Sequence, residues 1–155
     1  MTRLISAAAC LALAAACSPA DAPTPAVSET GPVLSYTEAF IMEPIGDRDI
    51  TMGGVSLTVE GGDVRLISAS SASIGTIELH TMAMNDGKMQ MRQVEGFDLT
   101  DGETLALERG GNHLMMFDVG EDVIGGEQID ITLNFEADGA PMTLVIEADV
   151  RAIGE

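Results

Sequence analysis

The chain of 155 residues has two cysteines, Cys10 and Cys17, and both lie near its N-terminus. The rest of the chain therefore cannot form a disulfide, a zinc knuckle or a cysteine redox pair. A blue-copper electron-transfer site of the usual kind needs a cysteine thiolate as a ligand. The scarcity of cysteine thus argues against that class of electron carrier.

Aromatic and basic residues are also scarce. Aromatics make up 3% of the chain and tryptophan is missing, so a core must be built from Val, Ile, Leu and Met. Seven Lys and Arg stand against 25 Asp and Glu, for a formal net charge of -18. Such acidity argues against binding to nucleic acid or, through charge, to anionic lipid. Apolar residues still reach 46%, which indicates one folded domain rather than a disordered chain.

Helical periodicity over three turns is missing as well, and no internal repeat is present. From Val33 onward, short β-favouring runs alternate with Gly and Asp turns. Residues 128–136 alternate most clearly between apolar and polar side chains. We therefore predict an all-β domain, an antiparallel sandwich or small barrel. The predicted strands are 33–42, 51–59, 63–70, 75–84, 88–94, 103–108, 113–118, 128–136 and 142–151.

The N-terminal residues predict export. Residues 1–17 read as a signal peptide whose apolar run is too short to be a permanent membrane span. Either Cys17 is lipidated, as its alanine-rich lipoprotein box indicates, or the leader is cleaved after Ala20. Residues 18–32, rich in Pro and Ala, read as a flexible linker, and 33–155 as the folded domain. We expect a periplasmic protein whose only contact with a membrane is a lipid anchor at Cys17.

Both histidines of the chain, His80 and His113, lie among six of its ten methionines. Neutral imidazole and thioether form a soft, uncharged ligand set, which suits Cu(I) better than zinc, calcium or magnesium. The six methionines are Met82, Met84, Met89, Met91, Met115 and Met116.

A hairpin with a type I′ turn at Asp86-Gly87 would bring several of these side chains to one face. Met84 would lie opposite Met89, and Met82 opposite Met91. His80 would be diagonal to Met91. On a separate strand His113 and Met115 share a face, whereas Met116 points the other way and is expected in the core.

The spacing His80-x10-Met91-x21-His113-x-Met115 resembles the signature of the periplasmic copper chaperones called PCu(A)C. The flanking Glu78-Leu79-His80, the Asp86-Gly87 turn and the stretch 110–115 are also similar to that family. The resemblance covers roughly residues 33 to 151. Arg109 is a departure, because the family usually has proline there.

The resemblance implies a cupredoxin-like β-barrel that holds one Cu(I) with His80, Met91, His113 and Met115. It also implies delivery of that copper to the dinuclear centre of cytochrome c oxidase, directly or through an assembly factor. A second copper is possible, since Met82, Met84 and Met89 could either pack or form a secondary copper-contacting patch. Arg92 either supports the hairpin or is a solvated charge.

Catalysis finds little support, since no serine lies in a nucleophile elbow and histidines that hold copper cannot also act as bases. The alternative function is a membrane-anchored β-sandwich lipoprotein whose Met-rich face binds another protein. Three of the other methionines, Met42, Met52 and Met142, are expected to pack in the core.

Protons should compete with copper for the two histidines, because only a neutral imidazole can bind a metal. We predict that affinity for Cu(I) decreases as the pH falls below about 6. Anaerobic competition titrations from pH 7 to pH 5 measure this. A constant affinity over that range would exclude the histidines as ligands.

Overall fold

The computed structural model describes residues 31–152, which form ten β-strands. Within this range no helix is long and apolar enough to cross a membrane. The predicted signal peptide, Cys17 and most of the predicted linker lie outside the described residues. The strands are β1 (Val33–Met42), β2 (Ile50–Glu60), β3 (Val64–Ser71), β4 (Ile74–Asn85), β5 (Lys88–Gln93), β6 (Phe97–Leu99), β7 (Thr104–Leu107), β8 (His113–Val119), β9 (Gln128–Ala137) and β10 (Ala140–Arg151).

The strands form a closed barrel. Around the ring their order is β4, β8, β2, β1, β10, β9 and β3, and pairing of β3 with β4 completes the circle. Strand β5 extends the sheet beyond β4, β6 pairs with β3, and β7 pairs with β2. The pairings are antiparallel except that β1 and β10 run parallel. The predicted all-β class and cupredoxin-like barrel are confirmed.

The core follows from the alternation of apolar and polar side chains. In β9, Ile129, Ile131, Leu133 and Phe135 are buried, while Asp130 between the first two is exposed. Strand β10 continues the same pattern, with Leu144 paired to Leu133. Aliphatic side chains from all around the ring fill the interior, as the shortage of aromatics predicts.

The nine predicted strands are all present, with ends displaced by at most two residues. Strand β6 was not predicted, because three residues are too few to show an alternating pattern. Its pairing with β3, Leu99 opposite Val64, therefore depends on the tertiary fold.

The β4–β5 hairpin has the predicted turn and register. Asp86 and Gly87 both have positive φ, 47° and 75°, as a type I′ turn requires. Met84 pairs with Met89 and Met82 with Met91. All residues of β5 are exposed, so the hairpin projects from the barrel with β5 at its edge.

Strand β2 changes partner part-way along its length. Residues 50–53 pair with β8 and residues 55–58 with β7. Gly54 lies at the change, where an added Cβ would overlap the backbone carbonyl of Leu107 and come within 2.7 Å of the Phe40 ring. Only glycine allows β2 to pass this close to Leu107 and Phe40. Strand β2 can therefore pair with β8 before this point and with β7 after it.

We predict that Gly54→Ala lowers the free energy of unfolding by about 1–3 kcal/mol, because the methyl group overpacks a site bounded by backbone. Chemical denaturation of the variant beside Gly31→Ala measures this. Gly31 is the matched control, since nothing lies within 4 Å of its added Cβ. Equal stability of the two variants would contradict the predicted overlap.

Candidate metal centre

The pairing of β4 with β8 brings the two histidines together. His80 lies directly opposite His113, and Glu78 opposite Met115. The imidazole ring centroids are 5.8 Å apart, with the ring planes inclined by 51°. Residues 33 positions apart in sequence thus become neighbours on one face of the sheet.

His113 is 95% buried, with 5% of its surface exposed, and both its ring nitrogens have defined neighbours. Nδ1 lies 3.0 Å from the carbonyl oxygen of Gly111. A carbonyl can only accept, so Nδ1 carries the proton and Nε2 of the neutral ring has a free lone pair. Nε2 lies 3.0 Å from Sδ of Met91, which also has lone pairs.

His80 has the opposite arrangement. Its Nε2 lies 2.8 Å from Oε2 of Glu78, two residues earlier on the same face of β4. An ionised carboxylate can only accept, so Nε2 donates and Nδ1 has the free lone pair. Nδ1 is buried and makes no hydrogen bond within residues 31–152. A carboxylate that orients a histidine in this way is common beside metal ligands.

The loop before β8 holds the Gly111 carbonyl in place. The amide of Gly111 donates to the carbonyl of Glu108 at 3.3 Å, and the amide of Glu108 donates to the carbonyl of Asn112. The side chain of Thr81 on β4 donates to Oδ1 of Asn112 at 2.7 Å. The position of His113 is thereby coupled to both β4 and this loop.

The structure brings all four sequence-predicted ligands to one region. Met91 is 49% exposed on the edge strand, and Met115 is half-buried. Met91, His113 and Met115 line an open cavity of about 800 Å³. His80 lies beside this cavity through its pairing with His113.

Two methionines expected in the core are elsewhere. Met42 and Met52 are half-buried and line the same cavity as Met91. The prediction of core packing is wrong for them because Ile41 and Gly53 take the inward positions of β1 and β2. In contrast, Met116 is fully buried and Met142 packs against the core, as predicted.

The hairpin methionines differ in exposure. Met82 is half-buried and lines the cavity, whereas Met84 and Met89 are 65% and 52% exposed near the turn. The last two are therefore not packed in the core. Arg92 is also exposed on β5 and alternates with Met91, so it points to the other face of the hairpin.

Charged side chains border the cavity. Arg48 and Arg109 line it and are exposed, and neither makes an ion pair within the described part of the chain. Glu43 is the one acidic residue of the lining. The acid-rich chain brings no group of three His, Cys, Asp or Glu together as a metal site in residues 31–152. Besides the two imidazoles, the thioethers of Met91 and Met115 are possible metal ligands here.

Sequence reasoning did not assign roles to Glu78 or Gly111. A glutamate two residues before a histidine on one strand shares its face, so Glu78 could have been found from the period of two. The Gly111 carbonyl could not, because its direction depends on the loop.

Comparison with known proteins identifies the family. Residues 34–147 match the family model described as "Putative lipoprotein LpqE-like". The chain belongs to the LpqE-like family. A relative named "Putative lipoprotein Lxx21020", from Leifsonia xyli subsp. xyli, is 28% identical over 129 residues. The match covers 83% of this LpqE-like chain and 75% of the relative.

Solved structures with the same fold are PCuAC domains and related proteins. The copper-bound PCuAC domain from PmoF2 matches with a TM-score of 0.61 at 18% identity, over 77% of this chain and 92% of that domain. CuI-DR1885 from Deinococcus radiodurans matches with a TM-score of 0.58 at 24% identity, over 84% of this chain and 85% of that one. The resemblance to the PCu(A)C family is confirmed in fold.

The hydrogen bonds predict opposite tautomers for the two histidines of the metal-free protein. In a ¹⁵N NMR spectrum recorded at about pH 8, we expect the proton of His80 on Nε2 and that of His113 on Nδ1. Glu78→Leu, which leaves no acceptor for the Nε2 proton, should change the His80 pattern and leave that of His113 unchanged. The same tautomer for both rings in the unmodified protein would contradict the geometry.

Proposed function

We propose that this LpqE-like protein binds Cu(I) and passes it to a copper-accepting protein of the cell envelope. The observation that carries the proposal is the approach of His113 Nε2 to Met91 Sδ at 3.0 Å. Two lone-pair atoms with no proton between them repel each other, and a soft cation bound by both would remove that repulsion.

The proposed ligands are Nδ1 of His80, Nε2 of His113 and the sulfurs of Met91 and Met115. The nitrogen assignment follows from the hydrogen bonds, since the other ring nitrogen of each histidine is a donor to Glu78 or to the Gly111 carbonyl. These partners orient the rings and fix the tautomer in which the binding nitrogen has a free lone pair. Met115 joins the set because it shares a face with His113 and lies opposite Glu78.

The proposed ligand set is neutral, so bound Cu(I) keeps its single positive charge. Thioethers and imidazoles favour Cu(I) over hard cations such as magnesium or calcium. A thioether is a weaker ligand than a thiolate, and Met91 is 49% exposed on an edge strand. An incoming ligand from an acceptor could displace it without opening the barrel. Such a site suits transfer more than permanent storage.

The fold comparisons support a copper-related role. One structural relative is a copper-bound PCuAC domain, and another is the Cu(I) form of DR1885. The family name and the name of the relative from Leifsonia both describe lipoproteins. We therefore propose a lipid anchor at Cys17, a tether formed by residues 18–32 and a working position in the periplasm.

The proposed acceptor is the dinuclear copper centre of cytochrome c oxidase or its assembly factor, as the family resemblance implies. We assign no catalytic step to the protein. Copper would move by ligand exchange, in which neither the metal nor the protein changes oxidation state.

A second candidate function is a protein-binding module. The open cavity of about 800 Å³, whose lining includes five flexible apolar methionines, favours this candidate. The two functions differ in whether the imidazoles are needed, because a docking surface would not depend on histidine nitrogens.

We predict one tight Cu(I) equivalent that the double variant His113→Ala, Met115→Ala loses, because the variant removes one nitrogen and one sulfur ligand. Anaerobic titration of the mature protein against a Cu(I) chelator measures the affinity. Met142→Leu is the matched control, since Met142 packs against the core away from the cavity.

A copper-transfer experiment under anaerobic conditions then tests the identity of the acceptor. The loaded protein should give up its copper to a copper-free oxidase domain bearing the dinuclear site, and the same domain should not remove copper as quickly from a small-molecule chelator. Unchanged Cu(I) affinity in the double variant would reject the site. The protein-binding function would then be preferred.

A further inference from the structure

Three methionine side chains form a row across adjacent strands. Met52 on β2 lies directly opposite Met115 on β8. On the other side of β2, the pairing of Ile41 with Gly53 places Met42 of β1 beside Met52. Directly paired side chains have Cβ atoms about 4.5–5.5 Å apart. The long, flexible thioethers can therefore converge. We call Met42, Met52 and Met115 the methionine shelf.

The methionine shelf faces a cavity rather than the core. All three side chains are half-buried and line the open cavity of about 800 Å³ beside His113. The backbone at one end is well held, since Oγ1 of Thr51 donates to the carbonyl of Met42 at 2.6 Å. The shelf thus presents its sulfur atoms from a fixed sheet.

The surroundings favour a soft cation. The cavity lining contains Glu43 as its one carboxylate beside the two guanidinium groups of Arg48 and Arg109, so its ligand atoms and not its charge would select the ion. A hard divalent cation would find few oxygen ligands here, whereas Cu(I) needs only soft neutral donors. The shelf also adjoins the proposed ligands, because Met115 belongs to both groups.

We propose that the methionine shelf binds a second Cu(I), more weakly than the histidine site, and exchanges it with that site through Met115. The inference deepens the proposed function and rests on it, since Cu(I) is the cargo in both. Exchange is a ligand substitution in which Cu(I) keeps its charge and no electron or proton is transferred. The shelf would give copper a stepwise route from the cavity to the imidazoles.

The test follows each methionine separately. The mature protein is labelled with ¹³C at the methionine methyl groups and titrated anaerobically with Cu(I). A parallel titration uses Ag(I), a soft monovalent ion that is not oxidised by air. The first equivalent should shift the signals of Met91 and Met115. The second should shift those of Met42 and Met52. Met116, fully buried, and Met142 serve as internal controls that should not move.

Paired variants separate the shelf from other methionines. Met42→Leu, Met52→Leu keeps the apolar volume but removes two sulfurs, so affinity for the second equivalent should fall at least tenfold while the first is unchanged. Met84→Leu, Met89→Leu removes the same number of sulfurs from the exposed end of the hairpin and should retain both equivalents.

The outcomes distinguish this inference from the proposed function. A tight first equivalent with no shift of Met42 or Met52 on further metal would overturn the shelf and leave the histidine site standing. If Met84→Leu, Met89→Leu lost the second equivalent instead, that copper would lie near the turn. This result would also overturn the shelf. In His80→Ala, His113→Ala, binding that shifts Met42, Met52 and Met115 would support the shelf. If the unmodified protein lacked a tight equivalent but showed those shifts, the proposed function would fail and the proposed exchange with the histidine site would be overturned with it, although metal binding at the shelf would be established.

Discussion

The candidate metal centre depends on one backbone pairing, that of β4 with β8. It places His80 opposite His113 and Met115 opposite Glu78, so the imidazoles and their partners share one face. A slip of one residue would turn these side chains to the interior, because alternate residues of a strand point to opposite faces. Burial of Leu79 and Leu114 on the inner face, where they pair with each other, opposes such a slip. The apolar core therefore determines the geometry of the polar site.

The two histidines show how a barrel can orient uncharged ligands without burying a charge in its core. One ring is held by a carboxylate and the other by a backbone carbonyl, so each has a different nitrogen free. Met91 comes from an exposed edge strand and reaches His113 from outside. A buried imidazole and a partly buried one, both held by hydrogen bonds and combined with an exposed thioether, are suited to holding a soft ion that must later leave. The cavity beside them gives that ion, or a partner's side chain, a place to enter.

Much of this could be predicted from the sequence because local patterns control it. Alternation predicted nine strands, and Asp86-Gly87 predicted both the turn and the register that pairs Met82 with Met91. The positions of Met42 and Met52 were predicted wrongly, because a methionine fits a core and a cavity wall equally well. Their direction depends on how β1, β2 and β8 align, which residues distant in sequence decide.

The sequence by itself determined the all-β class, the hairpin and the candidate ligand set, since these depend on alternation, turn residues and the rarity of histidine. Only the tertiary structure decided which nitrogen of each imidazole is free and which methionines surround the site. Hydrogen bonds to the Glu78 carboxylate and to the Gly111 carbonyl decide the first. The pairing of β2 with β8 on one side and with β1 on the other decides the second, because it places methionines of all three strands on one surface.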